Sequence, residues 1–207
     1  MRAIAALVIC LGLGLAACKP AASGGAVTAD DMSLGNPQAK VTVVEYASLG
    51  CPICAEWNNT NFAGFKAKYI DTGKVHYVLR EQLTGDAPVA AAGFLLARCA
   101  GKDKYFRVVD AVWRGEAPLL EHNQNAAERD ALVKVAQSAG LTEQQFDACV
   151  NNDDSIKALN DRSDRYEKED KIQGTPTFVV NGHALEAGDT PMPVLEKAIA
   201  DAQAAAK

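Results

Sequence analysis

Histidine is scarce in this chain: only His76, His122 and His183 occur among 207 residues, and none stands at a metal-ligand spacing from another. There is a single C-x-x-C, Cys51-Pro52-Ile53-Cys54. A zinc site would therefore need two copies to share one across an interface, and no metal or other cofactor is expected. Positive charge is also short: 21 Lys and Arg against 26 Asp and Glu leave a formal charge of −5, so phosphate-directed binding of nucleic acid is excluded. Steering of acidic substrates is excluded with it. No internal repeat is present. With 48% hydrophobic and 23% charged residues, the composition rules out disorder, collagen and a coiled-coil rod, and one domain with an inserted subdomain is expected.

Long apolar runs are missing as well, apart from Ala3 to Ala17, which follows Arg2 and is too short to span a bilayer comfortably. It reads as an export signal over residues 1–17. Its end, Leu15-Ala16-Ala17-Cys18, resembles a lipoprotein processing site, which implies lipid attachment at Cys18 and a cell-envelope location; the alternative is a plain secretory signal with Cys18 free. Any membrane contact then rests on that lipid. Lys19 follows, and the common sorting rule for such lipoproteins favours an outer membrane. Residues 18–38 are small and polar and are expected to be a flexible tether, followed by one domain over 39–207.

From Val41 to Ala47 a Val-rich run places Val41, Val43, Glu45 and Ala47 on one side and Thr42, Val44 and Tyr46 on the other, a buried strand. Cys51 follows, and Pro52 suits the first turn of a helix carrying Trp57, Phe62, Phe65 and Tyr69. Val75, Tyr77 and Leu79 alternate in a second strand, parallel to the first. From about residue 87 to 173 only helical patterns appear, broken near Gly101, Gly115–Pro118, Gly140 and Asn151-Asn152. The last helix, roughly Asp154 to Lys171, has a narrow apolar stripe of Ile156, Leu159 and Tyr166. Thr177–Val180, the turn Asn181-Gly182 and His183–Glu186 make a hairpin, and Val194, Leu195, Ala198, Ile199 and Ala202 mark a final helix. The order is that of an α/β, thioredoxin-like fold with a helical insertion between a βαβ unit and a ββα unit.

Of six cysteines, Cys10 falls in the signal and Cys18 at its end, which leaves four. Three pairings are possible in principle; the C-x-x-C spacing selects Cys51 with Cys54 and leaves Cys99 with Cys149. A C-x-x-C that opens a helix puts its first sulfur at the helix N-terminus, where free N–H groups favour the thiolate. Pro52 keeps that turn rigid, and Cys54, deeper in the helix, is expected to be more buried and less acidic. Cys51 is thus the sulfur that meets a substrate, and a redox role is favoured over a structural one because so tight a loop gains little stability from closure. Cys99 and Cys149 carry no activating motif and read as a staple closing a loop of about 50 residues, worth on the order of 4 kcal/mol in the chain-entropy picture. Relay of electrons to the active site is the other reading.

The segment Glu45-Tyr46-Ala47-Ser48-Leu49-Gly50-Cys51-Pro52-Ile53-Cys54 resembles the active-site segment of the DsbA family of periplasmic thiol:disulfide oxidoreductases. Gly174-Thr175-Pro176-Thr177-Phe178 resembles that family's cis-proline loop, and the likeness runs from about residue 38 to 203. The resemblance implies a cis peptide between Thr175 and Pro176 packed against the disulfide, with the Thr175 backbone pairing an extended substrate segment. It also implies that Glu45 sits beneath the Cys54 sulfur and exchanges its proton, and that a second disulfide joins Cys99 and Cys149, as in one branch of the family. Substrates would be thiols of unfolded or partly folded exported proteins, and the partner a membrane quinone-linked reoxidase. An outer-membrane anchor at Cys18 would stand in tension with such a partner. Ile53 departs from the family, where many strongly oxidising members have histidine. Isoleucine offers neither charge nor hydrogen bond, so a Cys51 pKa above that of the most acidic members is expected. Tyr46, Ala47, Leu49 and Gly50 also depart from it. A disulfide isomerase or reductase is the alternative, and Thr175 is an isomerase-type choice. The tether, however, has no room for a dimerisation module, so a monomer is expected. A metal-binding chaperone is the remaining reading.

Overall fold

The β-branched run Val41–Ala47 forms the central strand β2 of a five-stranded sheet, buried on both faces. The computed structural model describes residues 26–115 and 125–206. The export signal, Cys10, Cys18, the first part of the tether, the break at Glu116–Pro118 and His122 lie outside the described residues. Around β2 stand β1 (Met32–Gly35), β3 (Val75–Glu81), β4 (Thr177–Val180) and β5 (His183–Ala184), in the order β1-β3-β2-β4-β5. As expected, β2 and β3 are parallel, with Glu45 opposite Leu79, while β4 and β5 form an antiparallel hairpin next to β2.

The tether expected over 18–38 gives way to structure well before its end. Met32–Gly35 is strand β1, antiparallel to β3 with Met32 opposite Leu79, and Asp31 and Met32 are buried. Four residues are too few for a period-two pattern to show, and their burial depends on partners more than forty positions along the chain. The hairpin turn is as expected: Asn181 and Gly182 both have positive φ, 45° and 84°, which matches the right-handed twist of the flanking strands. Strand β5, however, ends at Ala184 rather than at Glu186.

Between β2 and β3 runs one long helix, α1, in four consecutive pieces: Pro52–Trp57, Asn58–Phe62, Ala63–Phe65 and Lys66–Ile70. The second and fourth are wound as π-helix, which rotates the later residues relative to an ideal helix, and Phe62 and Phe65 each meet both Trp57 and Tyr77. The helical insertion consists of α2 (Ala87–Cys99), α3 (Lys102–Arg114), α4 (Asn125–Ser138), α5 (Glu143–Val150) and α6 (Asp153–Glu169). Its boundaries are marked by capping chemistry. Asp86, Thr142 and Asn152 each accept from a backbone N–H of the first turn, and Gln145 completes a capping box with Thr142. Helix α7 (Met192–Ala205) closes the fold by burying Leu195 and Ile199.

The two faces of β2 have separate cores. Val41, Val43 and Ala47 join Phe65, Tyr77, Phe178, Leu195 and Ile199 in the larger one. Val44 and Tyr46 pack with Val78, Val179 and Tyr166 of α6 in the smaller. A disulfide between Cys99 and Cys149, Cα atoms 5.9 Å apart, ties the end of α2 to α5.

Candidate functional site

The site begins where β2 ends. Ala47 is followed by a buried turn through Ser48, Leu49 and Gly50 that delivers Cys51 to the head of α1. Ser48 holds this turn twice, donating from Oγ to the Thr84 carbonyl at 2.7 Å and accepting from Gly50 N–H at 3.2 Å. Gly50 is required by close approach: a Cβ there would collide with the Asp86 carbonyl, while Asp86 N–H donates to the Gly50 carbonyl at 3.0 Å.

Cys51 is the N-cap of α1, extended at φ −100° and ψ 115°, and Pro52 occupies the first helical turn. Its sulfur accepts from Cys54 N–H and lies against the Thr175 carbonyl, both at 3.4 Å. The thiols of Cys51 and Cys54 are reduced, and Cys54 is fully buried. Hydrogen bonds from the Cys54 thiol, the Thr175 side chain and the N–H groups of Cys54 and Ile53 outweigh burial and lower the Cys51 pKa to about 6. Burial, the hydrogen bond to Cys51 and the nearby Cys51 and Glu45 charges push Cys54 well up. The two sulfurs are thus driven apart in acidity, as expected from the spacing.

Glu45 is 1% exposed. Tyr77 donates its hydroxyl proton to Glu45 Oε2 at 2.5 Å, while Oε1 is buried without a hydrogen-bond partner among the described residues. Burial raises this carboxyl to about 7, against the Tyr77 hydrogen bond, and a Cys51 thiolate raises it further. The parallel register explains the pairing: Leu79 lies opposite Glu45, and Tyr77, two residues earlier on the same face, reaches it from the side.

The cis peptide expected before Pro176 is present between Thr175 and Pro176. Thr175 Oγ1 and Thr84 Oγ1 are 2.5 Å apart, so the loop leaving β3 buttresses the cis-proline loop. Ile53 is 41% exposed and presents an apolar side chain at the mouth of the site. Cys51, Cys54, Glu45, Pro52, Ile53, Thr175 and Pro176 are therefore brought together, whereas Cys99 and Cys149 stand apart in the helical insertion. Among the described residues no group of three or more His, Cys, Asp or Glu is placed to hold a metal ion, and no helix is long and apolar enough to cross a membrane.

The contributions of Tyr77, Ser48 and Thr84 are not visible in the sequence pattern. A run of alternating apolar residues marks β3 but does not say which of its members will meet a carboxylate. Arg80 is a further surprise. It is buried on the opposite face of the sheet between Asp31 and Asp170, at 3.2 and 2.9 Å, and donates to the Tyr46 hydroxyl at 2.8 Å.

A family model described as Thioredoxin matches residues 27–201. Among curated relatives, the "Putative protein-disulfide oxidoreductase" of Rickettsia conorii is 34% identical over 182 residues, which is 86% of this chain and 64% of that protein. The "Probable disulfide bond formation protein D" of Bacillus cereus is 28% identical over 155 residues, 73% of this chain and 70% of that one. The chain spans less than two thirds of the length of the Rickettsia relatives. Solved structures share the fold. Alpha-DsbA1 of Wolbachia pipientis has a TM-score of 0.76 at 24% identity, covering 87% of this chain and 94% of that one. Oxidised BdbD of Bacillus subtilis has a TM-score of 0.65 at 22% identity, covering 89% and 98%.

Proposed function

Because the chain belongs to the thioredoxin family, we propose that it is a DsbA-like thiol:disulfide oxidoreductase that forms disulfides in exported proteins through Cys51 and Cys54. The observation that carries this reading is the divergence of the two thiols, Cys51 at about 6 and Cys54 well above its ordinary value. In the oxidised protein a substrate thiolate attacks Cys51 Sγ; the new bond joins substrate to Cys51, and Cys54 leaves with the electron pair of the broken disulfide. Cys54 is buried and needs a proton at that moment. Glu45, held near 7, carries one at neutral pH and below. A second substrate thiolate then attacks the substrate sulfur of the mixed disulfide, and Cys51 departs as a thiolate. A low pKa makes Cys51 the better leaving group in that step, so the exchange runs toward oxidised substrate and reduced protein.

The substrate is an exported polypeptide with free thiols, lying against the Thr175 backbone as an added strand. The setting is the periplasm or cell envelope, with a lipid at Cys18 as the anchor and a quinone-linked membrane protein as reoxidant. The chain acts as a monomer, with Cys99–Cys149 as a staple. The test is to mix oxidised protein with a reduced, unfolded protein and follow both partners by thiol trapping. One substrate disulfide should form per protein reduced, and Cys54→Ser, whose Cys51 thiolate is given the oxidised substrate instead, should attack that disulfide, release one substrate thiolate and accumulate the mixed disulfide on Cys51. Failure of the wild type to transfer its disulfide would refute the reading.

A further inference from the structure

In the helical insertion a cavity of about 510 Å³ opens between α2, α5 and α6, with Arg98 and Arg162 in its lining. Both guanidiniums meet one carboxylate: Arg98 Nε donates to Glu81 Oε1 at 2.6 Å and Arg162 Nε to Glu81 Oε2 at 3.0 Å. Glu81 is 1% exposed and is not itself part of the lining. Two positive charges against one negative leave a net positive unit at the cavity. Arg98 Nη2 donates to the Asp30 carbonyl, and Arg162 Nη2 lies 2.9 Å from Glu81. The Nη1 group of each arginine has no acceptor among the described residues, and neither is sealed from solvent. Gln145 and Asn152 add donors, because their side-chain oxygens already accept from Thr142 N–H and Ser155 N–H, at 2.8 and 2.9 Å. Among the described residues no Asp or Glu lines the cavity, while Leu95, Leu141, Ala148, Ala158 and the Cys99–Cys149 disulfide give it an apolar wall.

We propose that this cavity binds a small organic acid, a single carboxylate on an aromatic or short alkyl body. The carboxylate accepts from the Nη1 groups of Arg98 and Arg162 and takes up the uncompensated positive charge, and the body lies on the apolar wall. Guanidinium donors match a carboxylate in shape as well as in charge, and such charge-assisted bonds are the strong ones. An inorganic anion would meet the charge and leave the wall wet. An alcohol with the same body would cover the wall and leave the arginine donors to water. The volume lies within the range of about 300–1,000 Å³ that holds one compact ligand, which favours a small molecule over a docked protein. Binding involves neither Cys51 nor Cys54 and holds for either redox state of that pair.

Titration of the protein with phenylpropionate, followed through amide chemical shifts, tests it. Saturable shifts should centre on Ala148, Ala158 and Arg162 rather than on Cys51. Phenylpropanol, which keeps the body and lacks the charge, and inorganic phosphate, which keeps the charge and lacks the body, should each bind about tenfold more weakly or worse. Ala158 is exposed and sits one turn before Arg162, so Ala158→Glu places a carboxylate at the i, i+4 spacing that pairs with that guanidinium. It should bind the acid about tenfold more weakly than Ala158→Gln, its uncharged counterpart of equal size. Bound acid should also raise the thermal unfolding midpoint of the wild type and leave that of Ala158→Glu where it was. Equal binding of the alcohol, equal affinity in the two variants, or shifts confined to other faces would overturn the proposal. So would the absence of saturable shifts at millimolar concentrations of the acid.

Discussion

At the scale of single residues the site rests on three titrating groups whose environments pull them apart. Cys51 is lowered by donors gathered at a helix N-terminus, Cys54 is raised by burial, and Glu45 is raised by burial beneath them. Alkylation of the reduced protein by iodoacetamide should follow Cys51 alone, with an inflection at about 6. Ile53→His should move it lower by adding a donor and a charge at the mouth; an inflection near 9 in the wild type would contradict the assignment. Glu45 also sets a pH dependence of stability. Its folded pKa lies above its unfolded one, so the folded state binds the extra proton, and stability falls as pH rises from about 4.5 through about 7. Cys51 works in the opposite direction in the reduced protein, where stability rises as pH climbs from about 6 toward 9. Oxidation removes the Cys51 window. Urea unfolding of the oxidised protein should therefore show the Glu45 slope without the Cys51 one, with His76, whose pKa burial lowers, acting against it, and Glu45→Gln should remove the Glu45 part, gaining at most about 3 kcal/mol over wild type at pH 8 and little at pH 4. A difference between Glu45→Gln and wild type that stays constant from pH 4 to pH 8 would rule the burial argument out.

Among the elements, what the sequence made legible is what local chemistry determines. Val41–Ala47 declared itself by β-branching, α1 by Pro52 and its aromatics, the hairpin by Asn181-Gly182, and the breaks in the insertion by capping residues and glycines. Strand β1 was hidden because four residues of an edge strand carry no period and acquire their meaning from β3. The π-wound pieces of α1 were hidden too, since a shift of one residue in helical register is smaller than the scatter of apolar spacing. Within the insertion the Cys99–Cys149 disulfide spans 50 residues and holds α2 to α5. The double variant Cys99→Ala/Cys149→Ala should lose about 2–4 kcal/mol of stability in chemical denaturation. If the pair is a staple, the Cys51 alkylation inflection should not move; a large movement would give the pair an electron-relay role instead.

For the whole molecule the surprising feature is ionic. Burial would raise the Asp31 carboxyl, yet hydrogen bonds from Arg80 and Thr28 hold it below the usual carboxylate range. Arg80 thereby joins the N-terminal segment, β3 and the end of α6 at Asp170, and Tyr46 and Tyr166 stack on its guanidinium. No sequence rule pairs residues 49 and 90 positions apart, so this cluster was illegible although each member is ordinary by itself. Arg80→Met should cost about 3–5 kcal/mol, because two carboxylates would stay buried without their counter-charge; a loss under 1 kcal/mol by urea unfolding would show that water reaches them. On the other face of the same sheet lies the chemistry, which turns on how strongly Cys51–Cys54 holds an oxidised state. The direct measurement is the reduction potential of that pair at equilibrium with glutathione, in the Cys99→Ala/Cys149→Ala background. A thiolate pKa of about 6 lies between those of a thioredoxin, at about 7, and of the most acidic disulfide oxidases, at about 3.5. The potential should accordingly fall between about −270 and about −120 mV, more oxidising than thioredoxin. A value at or below about −270 mV would contradict the account and make this protein a reductant.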